Sequence, residues 1–356
     1  MEGDLTASDA VWSERDTTPG AIEAALRELL RARHTENANH VPARVLNLVV
    51  VVDARWSGEI ANRLARVGRY HPSRTIVCAV EAGRTTLDGR ASIAADETKP
   101  GELALARELV VVLCGERHLA HLDSIVDPLV VTDLATVVWA PHGHHDAVDS
   151  LLPLAQVVLV DSVDEPDVEE ALERAGSLAE QAYVVDLAWL RSTPWRERIA
   201  ATFDPVKLRP DLHMISRLTI RHHPDSGAAA LLLVGWLAAQ LHWRPEKLLP
   251  RREAVAGKAH ARRQDVELSL VPAPEQSVRG LATVELETAS GRWLKLDRGP
   301  GGLHASYKSA RGAAREWTVL GASRGESGIL GEGIRQALLR DPTYRPALDK
   351  ARVLAP

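Results

Sequence analysis

The chain has 356 residues, 45% of them apolar and 26% charged, with a formal net charge of −5. That length accommodates about two domains of ~150 residues with ordinary cores, and the slight negative charge gives no overall attraction to nucleic acid or to an anionic membrane. The start, Met1-Glu2-Gly3-Asp4, lacks the apolar run of a secretory leader, and the longest apolar stretch, 228–239, falls short of the ~20 residues of a spanning helix, so a cytoplasmic chain is expected.

Residues 1–18 are polar and read as a frayed end. Thr18-Pro19 offers an N-cap followed by proline at the first helical position. Ile22, Ala25, Leu26, Leu29 and Leu30 then recur at helical spacing over 21–33. After a polar break at 35–40, residues 45–52 form an aliphatic run suited to a strand covered on both faces. A helix capped by Ser57 is expected over 58–70 and a strand over 75–80, which together make a βαβ unit. Further strands are expected at 91–95, 109–114, 135–139 and 156–160, with helices at 119–129 and 167–181. This half reads as a largely parallel sheet with helices on its faces. Cys78 and Cys114 lie inside apolar runs, where a free cysteine serves as a small hydrophobe; a disulfide or a thiol switch is the weaker reading.

The second half is patterned differently. Helices are expected on both sides of Ser192-Thr193-Pro194, followed by a short strand at 218–221 and the most apolar helix at 227–241. Residues 244–263 carry seven basic and two acidic side chains and read as a solvated basic linker. Alternation over 266–271, 282–286, 293–296 and 304–307 indicates antiparallel strands, and a helix over 326–339 closes the chain. The expected fold class is therefore α/β: an N-terminal largely parallel sheet with βαβ units, then a second α+β domain with antiparallel strands. The boundaries so read are a polar segment and helix over 1–42, an α/β domain over 43–165 and the α+β domain over 166–356.

Several local catalytic signatures are missing. The chain holds no G-x-x-x-x-G-K-[ST], H-E-x-x-H or C-x-x-C, and Asp53-Ala54-Arg55-Trp56 stands where a dinucleotide fold carries G-x-G-x-x-G. Four clusters remain. Pro141-His142-Gly143-His144-His145 follows a strand and offers three imidazoles, but without a spaced fourth ligand it reads as a loop rather than zinc. In His71-Pro72-Ser73-Arg74, the guanidinium of Arg74 can present its fork to a carboxylate or phosphate, or simply pair with a nearby acid. Asp186 to Arg196 combines Trp189, Trp195, Arg191 and Arg196, residue types common at interface hot spots. The plainer reading makes both tryptophans core anchors. The glycine-rich stretch 321–333 matches no phosphate-binding spacing. No cofactor and no metal is expected, and the basic stretch lacks the aromatic interleaving of a nucleic-acid binder.

Five stretches, in order, resemble the glucose-6-phosphate dehydrogenase assembly protein (OpcA) family. They are Ala43-Arg44-Val45-Leu46-Asn47-Leu48-Val49-Val50, His71-Pro72-Ser73-Arg74-Thr75-Ile76-Val77, Asp123-Ser124-Ile125-Val126-Asp127-Pro128-Leu129, Asp186-Leu187-Ala188-Trp189-Leu190-Arg191 with Pro194-Trp195-Arg196, and Leu233-Val234-Gly235-Trp236-Leu237-Ala238. The resemblance covers roughly 40–320 and departs from the family at Val138-Trp139-Ala140-Pro141 and at the following histidines. It implies a non-catalytic activator that binds glucose-6-phosphate dehydrogenase, promotes its active oligomer and thereby supports the oxidative pentose phosphate branch and NADPH supply. Under that reading the partner-binding candidates are His71, Arg74, Arg191, Trp195 and Arg196. The competing reading is an α/β enzyme acting on a sugar phosphate or nucleotide sugar, with Arg74 and the histidine loop at strand ends.

Overall fold

The computed structural model describes residues 10–36, 40–41, 44–68, 72–95, 104–320 and 326–356. His71, Tyr70, residues 37–39 of the polar break after the first helix and the start of the glycine-rich stretch lie outside them. The chain divides into two compact units. One comprises Met1–Val160 with Gln181–Val185, the other Asp161–Glu180 with Asp186–Pro356.

In chain order the elements of the first unit are β1 (Ala10–Glu14), α1 (Pro19–Glu36), β2 (His40–Val41), β3 (Leu46–Asp53), α2 (Ser57–Gly68), β4 (Ser73–Val80), β5 (Asp88–Ala95), β6 (Ala104–Cys114), α3 (Leu122–Val126), β7 (Thr136–Trp139), α4 (His145–Leu151) and β8 (Val157–Val160). Next come α5 (Val168–Ala179) of the second unit and then β9 (Tyr183–Asp186), which returns to the first sheet. The sheet runs β1-β5-β6-β4-β3-β7-β8-β9, with β2 beside β6. The pairs β6-β4, β4-β3, β3-β7 and β7-β8 are parallel, whereas β5 and β1 run antiparallel along one edge. Every residue from Leu46 to Val52 is buried, as the unbroken aliphatic run requires of a strand covered on both faces. β3 is the hinge of the winding: β4 and β6 lie to one side of it, β7 and β8 to the other. That order defines a doubly wound sheet whose switch point falls between β3 and β7.

The second unit continues with α6 (Leu187–Arg191), α7 (Thr193–Phe203), α8 (Arg209–Leu212), β10 (Ile215–His222), α9 (Gly227–Gln240), β11 (Arg244–Pro245), β12 (Leu249–Pro250), β13 (Val255–His260), β14 (Asp265–Pro272), β15 (Leu281–Thr288), β16 (Trp293–Gly299), β17 (Gly302–Lys308), β18 (Ala314–Leu320), α10 (Glu326–Leu339) and α11 (Tyr344–Leu354). Its sheet runs β11-β13-β14-β10-β15-β16-β17-β18, with β12 beside β13. Only the β10-β14 pair is parallel; the others are antiparallel. The expected fold class, a largely parallel sheet followed by a mostly antiparallel α+β unit, is what the chain adopts.

Four local expectations differ from the structure. The polar start is not frayed throughout, because Ala10–Glu14 pairs with β5 as an edge strand. The basic stretch 244–263 is not a linker; it contributes β11, β12 and β13, and His260 there lies 2.7 Å from Asp265 and 2.8 Å from Glu246. The helix expected over 119–129 breaks into α3 between two 3-10 turns, the second of which starts at Asp127-Pro128. A further helix, α11, follows the one expected to be last.

Candidate functional site

Three of the five motif stretches meet at the amino ends of the parallel strands. Arg74, second residue of β4, is almost wholly buried. Its Nε donates to Glu108 Oε2 at 2.7 Å, and its Nη1 donates to the Leu129 carbonyl at 2.9 Å and reaches Glu23 Oε2 at 3.4 Å. Arg44 pairs with the other oxygen of Glu108, whose side chain is fully buried. Strand pairing places Arg74 directly opposite Glu108, so the geometry is set by register rather than by chance side-chain reach. Asn47 completes the cluster from β3: its Nδ2 donates to the carbonyls of Val131 and Leu134, and its Oδ1 accepts from the Val131 amide at 2.9 Å. A buried amide satisfied on both sides fixes the loop that leads into β7. Arg74 therefore pairs with acids inside the sheet, the plainer of its two readings, and is not presented to a ligand.

The Asp186 to Arg196 motif forms a second internal cluster, in the second unit. The Arg196 guanidinium stacks 3.5 Å from the Trp189 ring centroid, donates to Ser192 Oγ, Thr193 Oγ1 and the Trp189 carbonyl, and lies 3.8 Å from Asp341. Burial pushes its pKa down to about 10, so it stays charged at neutral pH. Trp189 Nε1 donates to Asp341 at 2.9 Å, and its ring meets Tyr344 edge-on. Tyr344 in turn donates to Asp186, which also accepts from Ser162 and from the Ala188 amide. Arg191 pairs with Asp161 at 2.8 Å, both side chains being nearly buried. Trp195 is 1% exposed. The tryptophans are core anchors, as their plainer reading has it. Arg191, Trp195 and Arg196, the partner-binding candidates of this stretch, have side chains that are largely buried, with the helix broken at Ser192 between them. His71 lies outside the described residues.

The carboxyl ends of β3 and β7 are where a doubly wound sheet gathers ligands. Here Asp53 ends β3 and lies 3.0 Å from His144 Nε2, tying the two loops together. The Trp56 ring packs 6.0 Å from that of His142, the Arg55 guanidinium stands 5.5 Å from the Trp56 centroid, and burial lowers the His142 pKa. Trp56 remains 41% exposed. Large side chains thus occupy the turn in which glycines would let a backbone approach a pyrophosphate. Among the described residues no group of three His, Cys, Asp or Glu is placed to hold a metal ion, and no helix is long and apolar enough to cross a membrane. Cys78 and Cys114 are buried free thiols in β4 and β6; burial raises both, Cys114 to about 11, which keeps them protonated. In the sequence, Arg55-Trp56 marks not only a missing glycine loop but an aromatic beside an arginine directly after a buried strand.

A doubly wound α/β unit with a side-chain-filled switch point, joined to an antiparallel α+β unit, defines a two-part protein whose distinctive motifs serve its interior. Residues 61–177 match the family model described as the N-terminal domain of a glucose-6-phosphate dehydrogenase subunit, and residues 182–348 match that of its C-terminal domain. The chain belongs to the OpcA family. Proteins named OxPP cycle protein OpcA are similar to it in Synechococcus elongatus (26% identical over 179 residues, 47% of this chain and 40% of that protein), Synechocystis (29% over 132 residues, 36% and 28%) and Nostoc punctiforme (31% over 131 residues, 36% and 28%). The matched segments thus span less than half the length of those relatives. Among solved structures, a WlbA dehydrogenase from Thermus thermophilus, in complex with NAD and alpha-ketoglutarate, covers 86% of this chain and 94% of its own at 13% identity and a TM-score of 0.44, too low to bear on function.

Proposed function

We propose that this chain is a non-catalytic assembly factor that binds glucose-6-phosphate dehydrogenase in the cytoplasm, favours its active oligomer and so supports the oxidative pentose phosphate cycle. The observation that carries this reading is the pair of family matches, which together span most of the chain and whose descriptions name a glucose-6-phosphate dehydrogenase subunit. The geometry supports it in two ways. The ion pairs and the tryptophan stack of the family-like motifs hold each unit in shape rather than face a substrate. The sheet's customary ligand position is occupied by Asp53, His144, Arg55 and Trp56. A protein that binds one assembly state of an enzyme more tightly than another shifts the enzyme's equilibrium by that difference in affinity.

In this reading Arg74, Arg191, Trp195 and Arg196 act from within, as the frame of the docking surface, and the exposed Trp56 with Arg55 contributes to the contact itself. Tryptophan and arginine at the centre of an interface commonly account for about 2 kcal/mol or more each. Mixing the purified chain with the dehydrogenase of the same cell is expected to give a complex by size-exclusion chromatography and a higher dehydrogenase rate. Trp56→Ala is expected to weaken that complex while leaving the chain folded. A mixture that elutes as two separate proteins with an unchanged rate contradicts the proposal.

A further inference from the structure

The second unit holds a cavity that neither the motifs nor the assembly role accounts for. It measures about 460 Å³ and lies between the tip of the β13-β14 hairpin, α8 and the end of α9. Arg262 and Arg263 reach it from the hairpin tip, Arg209 and His213 from the α8 side, and His242 from the residue after the α9 cap. Leu241 and Pro210 supply an apolar wall, backed by the buried Trp243.

The charge balance of this cavity is cationic. The acids beside it are engaged: Asp265, at the start of β14, with His260 and Lys258, Asp204 with Arg209 at 2.9 Å, and Asp211 with Ser290 and Arg292. At the carbonyl end of α9 the Leu241 amide donates to Leu237 and the Trp243 amide to Ala238, which satisfies two of the terminal carbonyls. Among the described residues no carboxylate is recorded within ion-pair distance of Arg262 or Arg263. The hairpin tip itself is braced, since Ala261 donates its amide to Gln264, whose side chain donates to the Ile215 carbonyl. His242 adopts φ 57° at the position that usually goes to glycine in such a helix end. An imidazole is thus held at the mouth of the cavity in a backbone conformation that glycine would adopt without strain.

Arginines on a hairpin tip alone would be an ordinary solvated turn. Arg262 and Arg263 meeting two histidines on one concave, apolar-walled space, with Arg209 beside them held by Asp204, is a different arrangement. Guanidinium forks match phosphate oxygens two at a time, the wall suits the face of a small organic body, and the volume falls within the ~300–1,000 Å³ typical of small-molecule sites. We propose that this cavity binds a small phosphate monoester, the phosphate held by Arg262 and Arg263 and the organic body lying against Leu241 and Pro210. The inference stands apart from the assembly role and survives its failure.

The test is calorimetric titration of the whole chain with glucose 6-phosphate, and in parallel with glucose and with inorganic phosphate. The expected result is saturable binding of the ester, weaker binding of inorganic phosphate and none of glucose, with the ester's affinity falling as salt is added. The double variant R262Q/R263Q, altered only at an exposed turn, is expected to keep its melting temperature and to weaken ester binding by about tenfold or more. R262K/R263K, which keeps the charge and loses the fork, is expected to fall between. Absence of saturable ester binding, or equal affinity in the wild type and the R262Q/R263Q variant, overturns the site. Equal affinity for ester and inorganic phosphate overturns the role given to the apolar wall.

Discussion

Arg74 shows what a single side chain does in this molecule. It reaches the buried Glu108 of the neighbouring strand, the Leu129 carbonyl and Glu23 of the first helix at once. Removing one partner of such a buried set leaves an acid without full compensation, so Arg74→Met is expected to lower the stability of the first unit by about 3 kcal/mol, read as a shift in the urea midpoint. An unchanged midpoint would mean that Arg44 alone satisfies Glu108. Asp186 makes a second, pH-dependent case. Burial, aided by nearby Asp161, pushes its carboxyl up from 3.8 to about 6. The folded chain therefore keeps a proton that the unfolded chain has already released in that window. The resulting stabilisation is complete below about pH 3.8, declines as the pH rises to about 6 and is absent above it, a difference on the order of 3 kcal/mol. The stability of the wild type relative to Asp186→Asn is expected to fall across this interval; a difference that stays flat with pH counts against the assignment. The sequence made both residues visible as members of short motifs. It could not make their burial visible, because Arg74 meets Glu108 through strand register and Asp186 meets Tyr344 across 158 positions of chain.

At the scale of elements, the most apolar helix, α9, owes its packing to a glycine. A Cβ on Gly235 would lie 2.2 Å from the Ala347 carbonyl oxygen of α11, a backbone atom that cannot swing aside. Gly235→Ala is therefore expected to force the two helices apart and to destabilise the second unit by about 1–3 kcal/mol, measured by denaturant unfolding. A neutral result would show that the pair slides without cost. The glycine was legible inside the Leu233 to Ala238 motif, but its partner was not. α11 buries Tyr344, Ala347, Leu348, Ala351 and Leu354, a helical spacing interrupted in the sequence by Pro346, which the first turn of a helix tolerates. The basic stretch misled for a related reason. Val255–His260 alternates poorly in hydropathy, and what makes it a strand is its pairing with β14, which supplies the backbone partners that local composition does not reveal. Strongly aliphatic runs such as β3 and β4 were read to within a few residues, since an element buried on both faces has little else it can be.

Over the whole molecule, the division into a largely parallel and a mostly antiparallel half follows from the change of hydrophobic pattern along the sequence, from unbroken runs to alternation. The strand order does not, and neither does the side-chain filling of the switch point by Trp56 and Arg55, for both depend on contacts distant in sequence. What the family-like motifs build is a frame, three of them at the amino ends of the first sheet and two around α11 of the second unit. A frame of that kind suits a protein that works through its surface, and the proposed target of that surface is glucose-6-phosphate dehydrogenase. The most direct test is to weigh that enzyme's particles by mass photometry at a dilution where its oligomer partly dissociates, with and without this chain, and to assay the same samples for NADPH production. The expected result is a gain of the larger species, heavier by bound chain, and a rise in rate that saturates with it. Unchanged particle masses with an unchanged rate at saturating chain would contradict it.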